Sequence, residues 1–162
     1  MLTKVKKTKP RRVPGSHFAI VASKYNPEFV DAMVGAAQKA LSEAGATAIR
    51  VVRVPGAFEI PAVAARLARR KSPRFGAIIC LGVILRGETT HAQHIGEGVS
   101  QALASIQVET EVPIIHEVLL LENRQQAEAR CLSKDHNRGL EAAHTAVEMA
   151  RIMASLDEQP AS

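Results

Sequence analysis

Residues 76–91 read GAIICLGVILRGETTH, an apolar run that stops in a glycine-flanked polar turn. The run shows no polar alternation, so both of its faces should be buried. That is how a strand reads in a parallel sheet covered on both sides. Gly76–Val83 is accordingly expected to be a strand, and a helix is expected from about His91 to Gln107. The neighbouring sequence repeats the pattern. His17–Ser23 (HFAIVAS), Ala48–Val54 (AIRVVRV) and Val112–Leu119 (VPIIHEVL) are three further short runs rich in β-branched residues. Between and after them lie helical patterns at Pro27–Gly45, Ile60–Lys71, Arg124–Leu132 and Asn137–Ser155. The first repeats Phe29, Met33, Ala36, Ala37, Ala40 and Leu41 on one face, and the last repeats Leu140, Ala143, Val147, Ala150 and Ala154. Strict alternation of β and α elements implies right-handed crossovers and an α/β fold with a four-stranded parallel sheet.

Composition narrows the function classes. The chain has 162 residues, 46% of them hydrophobic and 23% charged, as in ordinary soluble domains. No apolar run approaches the ~20 residues of a membrane-spanning helix. The net charge of +5 is local: six of the 21 basic residues lie in residues 1–12, which contain no acid. The remainder holds 15 basic against 16 acidic residues, a balance of −1. Residues 1–15 are therefore expected to form a basic, disordered arm, 16–156 a single domain, and 157–162 a disordered tail. A basic arm is the one route by which nucleic acid could be bound. Cys80 and Cys131 form neither a disulfide framework nor a zinc pattern, which fits a reducing, cytoplasmic setting.

In a parallel α/β sheet, ligands bind outside the carboxyl ends of the strands. That rule selects the loops Ser23–Pro27, Val54–Ile60, Gly82–His91 and Val118–Arg124. Two of the five aromatic residues, Tyr25 and Phe58, lie in these loops. They either stack on a flat heterocycle or form a lid on the sheet edge. Glu59 sits where a helix opens, and either meets the donor edge of such a ring or complements the helix dipole. Gly82 and Gly87 match a Gly-x4-Gly phosphate loop, but Glu88 stands where that motif needs a lysine. A polyphosphate with magnesium is thus disfavoured, whereas one phosphate group at a helix amino terminus remains well served by Thr89. His91 is either a proton shuttle beside that turn or a helix-start cap. His91 and His94 without further ligands do not make a metal site. Arg130, Lys134 and Arg138 form the one basic series in the body able to neutralise the anion.

The stretches AIVASKYN, RVPGAFEIPAVAARLA, GVILRGETTH and NRGLEAAHTAVEMA together resemble the 6,7-dimethyl-8-ribityllumazine synthase family, over Phe18 to Met153. The resemblance implies a flavodoxin-like three-layer α/β/α sandwich. It also implies a homopentamer, or a sixty-subunit shell, with active sites between subunits. The implied reaction condenses 5-amino-6-(D-ribitylamino)uracil with 3,4-dihydroxy-2-butanone 4-phosphate in riboflavin biosynthesis, without metal or cofactor. Its product would pass to riboflavin synthase. Position by position, Tyr25 takes the place of the ring that stacks on the pyrimidine. Ala57, Phe58 and Glu59 line the ribityl chain and ring edge, and Val83, Ile84 and Leu85 pass beside the ring. Glu88 and Thr89 fall at the butanone phosphate, His91 matches the catalytic histidine, and Arg130 matches the arginine that reaches the phosphate from a neighbour. The chain departs from the family pattern at four places: Tyr25 and His116 replace the more usual phenylalanines, Arg138 a lysine, and Cys131-Leu132-Ser133 a small turn. A ligand-binding assembly protein without turnover is the alternative of a different class.

Overall fold

The computed structural model describes residues 13, 16–158 and 160. Most of the expected arm and tail lies outside the described residues. Val13 is an exception: it is buried, and its N–H donates to the Ala44 carbonyl at 2.9 Å. The elements follow the expected alternation: β1 His17–Ser23, α1 Pro27–Glu43, β2 Ala48–Val54, α2 Ile60–Ala68 and β3 Ala77–Leu85. They continue with α3 His91–Thr110, β4 Ile114–Leu121, α4 Arg124–Ala127 and α5 Arg138–Asp157. The four strands are all parallel, in the order β2-β1-β3-β4.

Each central strand sends alternate side chains to two separate cores. Phe18, Ile20 and Ala22 of β1, with Ile79 and Leu81 of β3, pack toward α1 and α5. Ala19 and Val21, with Ile78 and Cys80, pack toward α2 and α3. Both faces of the sheet are covered, which explains the apolar runs without alternation. The helices on the first face lie close together. Gly139, near the start of α5, lies directly against the Met33 backbone of α1, leaving no room for a Cβ atom.

The boundaries that differ from expectation do so for identifiable reasons. β3 runs on to Leu85 because β4 pairs with it through Ile84–Leu120 and Leu85–Leu121. β4 begins at Ile114, two residues late, because Pro113 has no N–H for the ladder and offers only its carbonyl to Ile78, at 2.9 Å. The helix expected over Arg124–Leu132 is one α-helical turn followed by a π-helical turn at Glu128–Leu132. A 3-10 turn at Ala57–Glu59 precedes α2, which ends three residues early.

Because the obstruction at Gly139 is backbone, which cannot rotate away, Gly139→Ala should destabilise the fold by about 3 kcal/mol. A fall in the urea midpoint at unchanged m-value would register it, and an unchanged midpoint would contradict this packing.

Candidate active site

The chain leaves β1 toward β2 on one side, while β3 and β4 lie on the other. The strand order therefore reverses between β1 and β3, and the loops at their carboxyl ends separate. A cavity of ≈ 760 Å³ opens there. Three loops wall it, and short hydrogen bonds stitch them together. The Lys24 N–H donates to the Val54 carbonyl at 2.8 Å, joining the ends of β1 and β2. The Asn26 side-chain amide donates to the Val83 carbonyl at 2.8 Å, joining the ends of β1 and β3. Gly56 N–H donates to Glu59 Oε2 at 2.9 Å, closing the turn before α2.

Most of the residues singled out in the sequence meet in this cavity. Tyr25 is 71% exposed, and its ring edge rests against Gly56. Phe58 is 64% exposed and leans on Gly98 of α3. Two large rings left open to solvent at a cavity rim offer apolar faces to a flat ligand. Ala57, Glu59, Val83, Ile84 and Leu85 line the same cavity. Gly87, Thr89, His91 and His94 form the far end at the start of α3. Thr89 Oγ1 accepts the His91 N–H at 3.4 Å. The amino terminus of a 20-residue helix, where the N–H groups of Ala92 and Gln93 have no intrahelical partner and a threonine hydroxyl lies alongside, suits an anion. Glu88 is exposed on the same turn but is not part of the cavity wall. No group of three His, Cys, Asp or Glu side chains able to hold a metal occurs among the described residues.

His116 and Arg130 stand apart from their own chain's cavity. His116 lies on the edge strand β4, facing α3. Its Nδ1 accepts the Val118 N–H at 3.1 Å, so the proton belongs on Nε2, which lies 2.7 Å from Ser100 Oγ. The Ser100 hydroxyl in turn donates to the Gly96 carbonyl at 2.9 Å. Partial burial lowers the pKa of this imidazole below its ordinary value of 6.5. Arg130 lies in the π-helical turn and makes a long contact, 3.4 Å, with the Gln126 carbonyl. The turn that carries it is anchored to α1 through Arg124, which pairs with Glu28 at 2.6 Å and covers the Phe29 ring.

The structure separates the members of the basic series. Arg138 is committed to Glu117 of β4, at 3.1 Å, and to Glu141, at 2.8 Å. Glu117 is buried beneath it; desolvation raises its pKa, and the Arg138 charge opposes the rise. Arg138 therefore clasps α5 to the sheet, while the Arg130 guanidinium stays half-exposed and lightly held. Burial pushes the thiols of Cys80 and Cys131 up to about 12 and about 11, so neither offers a thiolate near neutral pH. Asn26 was not singled out by its sequence. The signal for it was an asparagine just before a proline that opens a helix, at a position needing positive φ.

Protonation of His116 should be linked to stability. With a lowered native pKa, the unfolded chain takes up the proton first as pH falls through about 6.5. Stability present above that pH is therefore lost progressively below it. His116→Asn keeps an acceptor for Val118 but cannot titrate, so its urea-unfolding free energy should fall less between about pH 7 and 5 than that of the natural chain. Parallel curves for the two proteins would refute the linkage.

The family model and the sequence relatives agree with one another. A family model described as 6,7-dimethyl-8-ribityllumazine synthase matches residues 15–154. A relative of that name from Xanthomonas oryzae pv. oryzae (strain PXO99A) is 41% identical over 147 residues, covering 90% of this chain and 94% of the relative. One from Xanthomonas euvesicatoria pv. vesicatoria (strain 85-10) is 41% identical over 143 residues, covering 87% and 92%. Another, from Xanthomonas campestris pv. campestris (strain B100), is 40% identical with the same coverage. A match across nearly the whole described domain, including each loop that builds the cavity, places this chain in the 6,7-dimethyl-8-ribityllumazine synthase family.

Proposed function

We propose that the cavity between β1 and β3 condenses 5-amino-6-(D-ribitylamino)uracil with 3,4-dihydroxy-2-butanone 4-phosphate. The products are 6,7-dimethyl-8-ribityllumazine, phosphate and water, the step in riboflavin biosynthesis that belongs to the family. The observation that carries the reading is the meeting, in one cavity, of two open rings, a carboxylate and an imidazole beside a helix amino terminus. Tyr25 and Phe58 hold the pyrimidine and its ribityl chain, with Ala57 and Glu59 at the ring edge and Val83, Ile84 and Leu85 alongside. The butanone phosphate docks at the start of α3, where Thr89 and the helix N–H groups meet its oxygens and Glu88 borders the turn.

Chemistry then follows from position. The uracil amine attacks the ketone carbon, and loss of water leaves an imine. Proton removal next to it expels phosphate, and the second amine closes the ring with loss of water. Each step moves a proton, and the imidazole of His91, beside the phosphate turn, is placed to carry it. Arg130, supplied by a neighbouring subunit, stabilises the departing phosphate as its charge grows. Holding two small substrates in register provides much of the remaining acceleration.

The site is therefore completed between subunits of a homopentamer, whether free or built into a sixty-subunit shell. What supports this is that Arg130 and His116 lie away from their own cavity, and that the β4 edge pairs with no strand among the described residues. His116 would face the neighbour's ring ligand. Residues 16–156 form the catalytic domain, residues 1–15 a basic arm that contacts nucleic acid if any part does, and 157–162 a tail. The setting is cytoplasmic, and the lumazine passes on to riboflavin synthase.

Mixing the two substrates with the purified chain should generate lumazine fluorescence. His91→Ala should lower kcat about 100-fold while leaving the circular dichroism unchanged. No turnover by the folded natural chain would overturn the reading. Arg130→Ala should lower kcat and kcat/KM for the butanone phosphate together, by about 100-fold. Co-refolded 1:1 with His91→Ala, it should recover about one quarter of the natural activity, because mixed oligomers then contain intact shared sites. Activity that stays at the level of the separate variants would show that Arg130 serves its own subunit.

A further inference from the structure

From the contact that closes the gap between β1 and β3, we infer that Asn26 is a positioning residue for the ring-binding half of the site. The inference rests on the proposal that this cavity takes a flat, ribityl-bearing ring. The β1–β3 ladder stops at the pair Ala22–Leu81, whereas β3 continues to Leu85. Beyond that pair, the chain after β1 swings away toward α1, and the carbonyl of Val83 loses the backbone donor that a longer β1 would have presented. The side chain of Asn26 supplies it, at 2.8 Å. An amide of a single residue thus takes the place of the missing ladder rung, at the point where the fold opens its cavity.

The backbone of Asn26 fits the same role. Its φ of 52° lies in the left-handed region, which asparagine tolerates better than most residues. In that conformation its own carbonyl accepts from Phe29 and Val30 and starts α1, while its amide points back to β3. Tyr25 is the adjacent residue; its ring edge lies beside Gly56, and the Lys24 N–H on Val54 holds the backbone that precedes it. Asn26 therefore sets the separation between two walls: the phenol ring on one side, and the Val83–Leu85 backbone on the other. The phosphate end, at Thr89 and His91, lies past the end of β3, on the turn that opens α3.

Two variants separate the amide from the backbone. Asn26→Gly accepts the positive φ and removes only the amide. Asn26→Asp keeps the shape but faces the Val83 carbonyl with a carboxylate, which regains a donor only when protonated. For Asn26→Gly we expect KM for the ribitylaminouracil to rise about tenfold, KM for the butanone phosphate to stay within about twofold, and riboflavin, followed by quenching of its fluorescence, to bind about tenfold more weakly. For Asn26→Asp the riboflavin defect should be large near pH 8 and shrink toward about pH 5 as the new carboxyl takes up a proton. The glycine variant should show no such relief. The other titratable groups lining the cavity, Tyr25, Glu59, His91 and His94, are common to both variants, so the difference between them reads the new carboxyl alone. Unchanged riboflavin affinity in Asn26→Gly, equal rises in both KM values, or a pH-independent defect in Asn26→Asp would each overturn the inference. Absence of turnover in the natural chain, with riboflavin binding still weakened by Asn26→Gly, would instead sink the proposed reaction and leave the positioning role standing.

Discussion

Two central strands buried on both faces impose the main constraint on this molecule. Once β1 and β3 each contact helices above and below, every connection must cross over the sheet and return to the same end. The order β2-β1-β3-β4 then forces the chain to depart from β1 and β3 in opposite directions. A gap at their carboxyl ends is unavoidable, and it lies above an apolar sheet that supplies a dry floor. The polar groups that line the gap are strand ends and helix starts, whose backbone partners have run out. Binding capacity is thus a by-product of terminating a parallel sheet.

The same exhaustion of partners explains the chemistry gathered around the gap. The end of β3 carries an unpaired carbonyl, which Asn26 takes. The 3-10 turn before α2 opens with a free N–H, that of Gly56, which Glu59 takes at 2.9 Å. At the start of α3 the His91 N–H is taken by Thr89, the next two N–H groups have no intrahelical partner, and that is where an anion is best accommodated. The rings of Tyr25 and Phe58 stay exposed because the loops that carry them bend away from both cores. Arg138 and Glu117 illustrate the opposite case: a guanidinium and a carboxyl that satisfy each other on the sheet hold α5 in place and are no longer available to a ligand.

The alternation of strands and helices, the parallel sheet and four of the cavity's landmarks were legible in the sequence. Hydrophobic runs without alternation specify burial on both faces, because a half-exposed strand would need polar residues at every second position. Tyr25, Phe58, Glu59 and His91 were legible because each lies next to a strand end, and strand ends are local in sequence. The boundaries of β3 and β4 were less so. Their register depends on which carbonyls the partner strand leaves to be paired, as at Pro113 and Leu85. Nor could the π-helical turn around Arg130 be read from a segment whose apolar spacing fits an ordinary helix.

Local pattern by itself therefore determined the fold class, the sheet's burial and the end of the sheet where a ligand belongs, since each follows from neighbours within a few residues. Only the tertiary structure decided which of three basic residues is spent on a clasp and which stays available, because Arg138 finds Glu117 on a strand that is distant in sequence. It alone decided that Asn26 bridges 57 residues to Val83, and that His116 carries its proton on Nε2. Those outcomes depend on hydrogen-bond geometry, a short-range and directional property that emerges only after the cores have brought separate segments together.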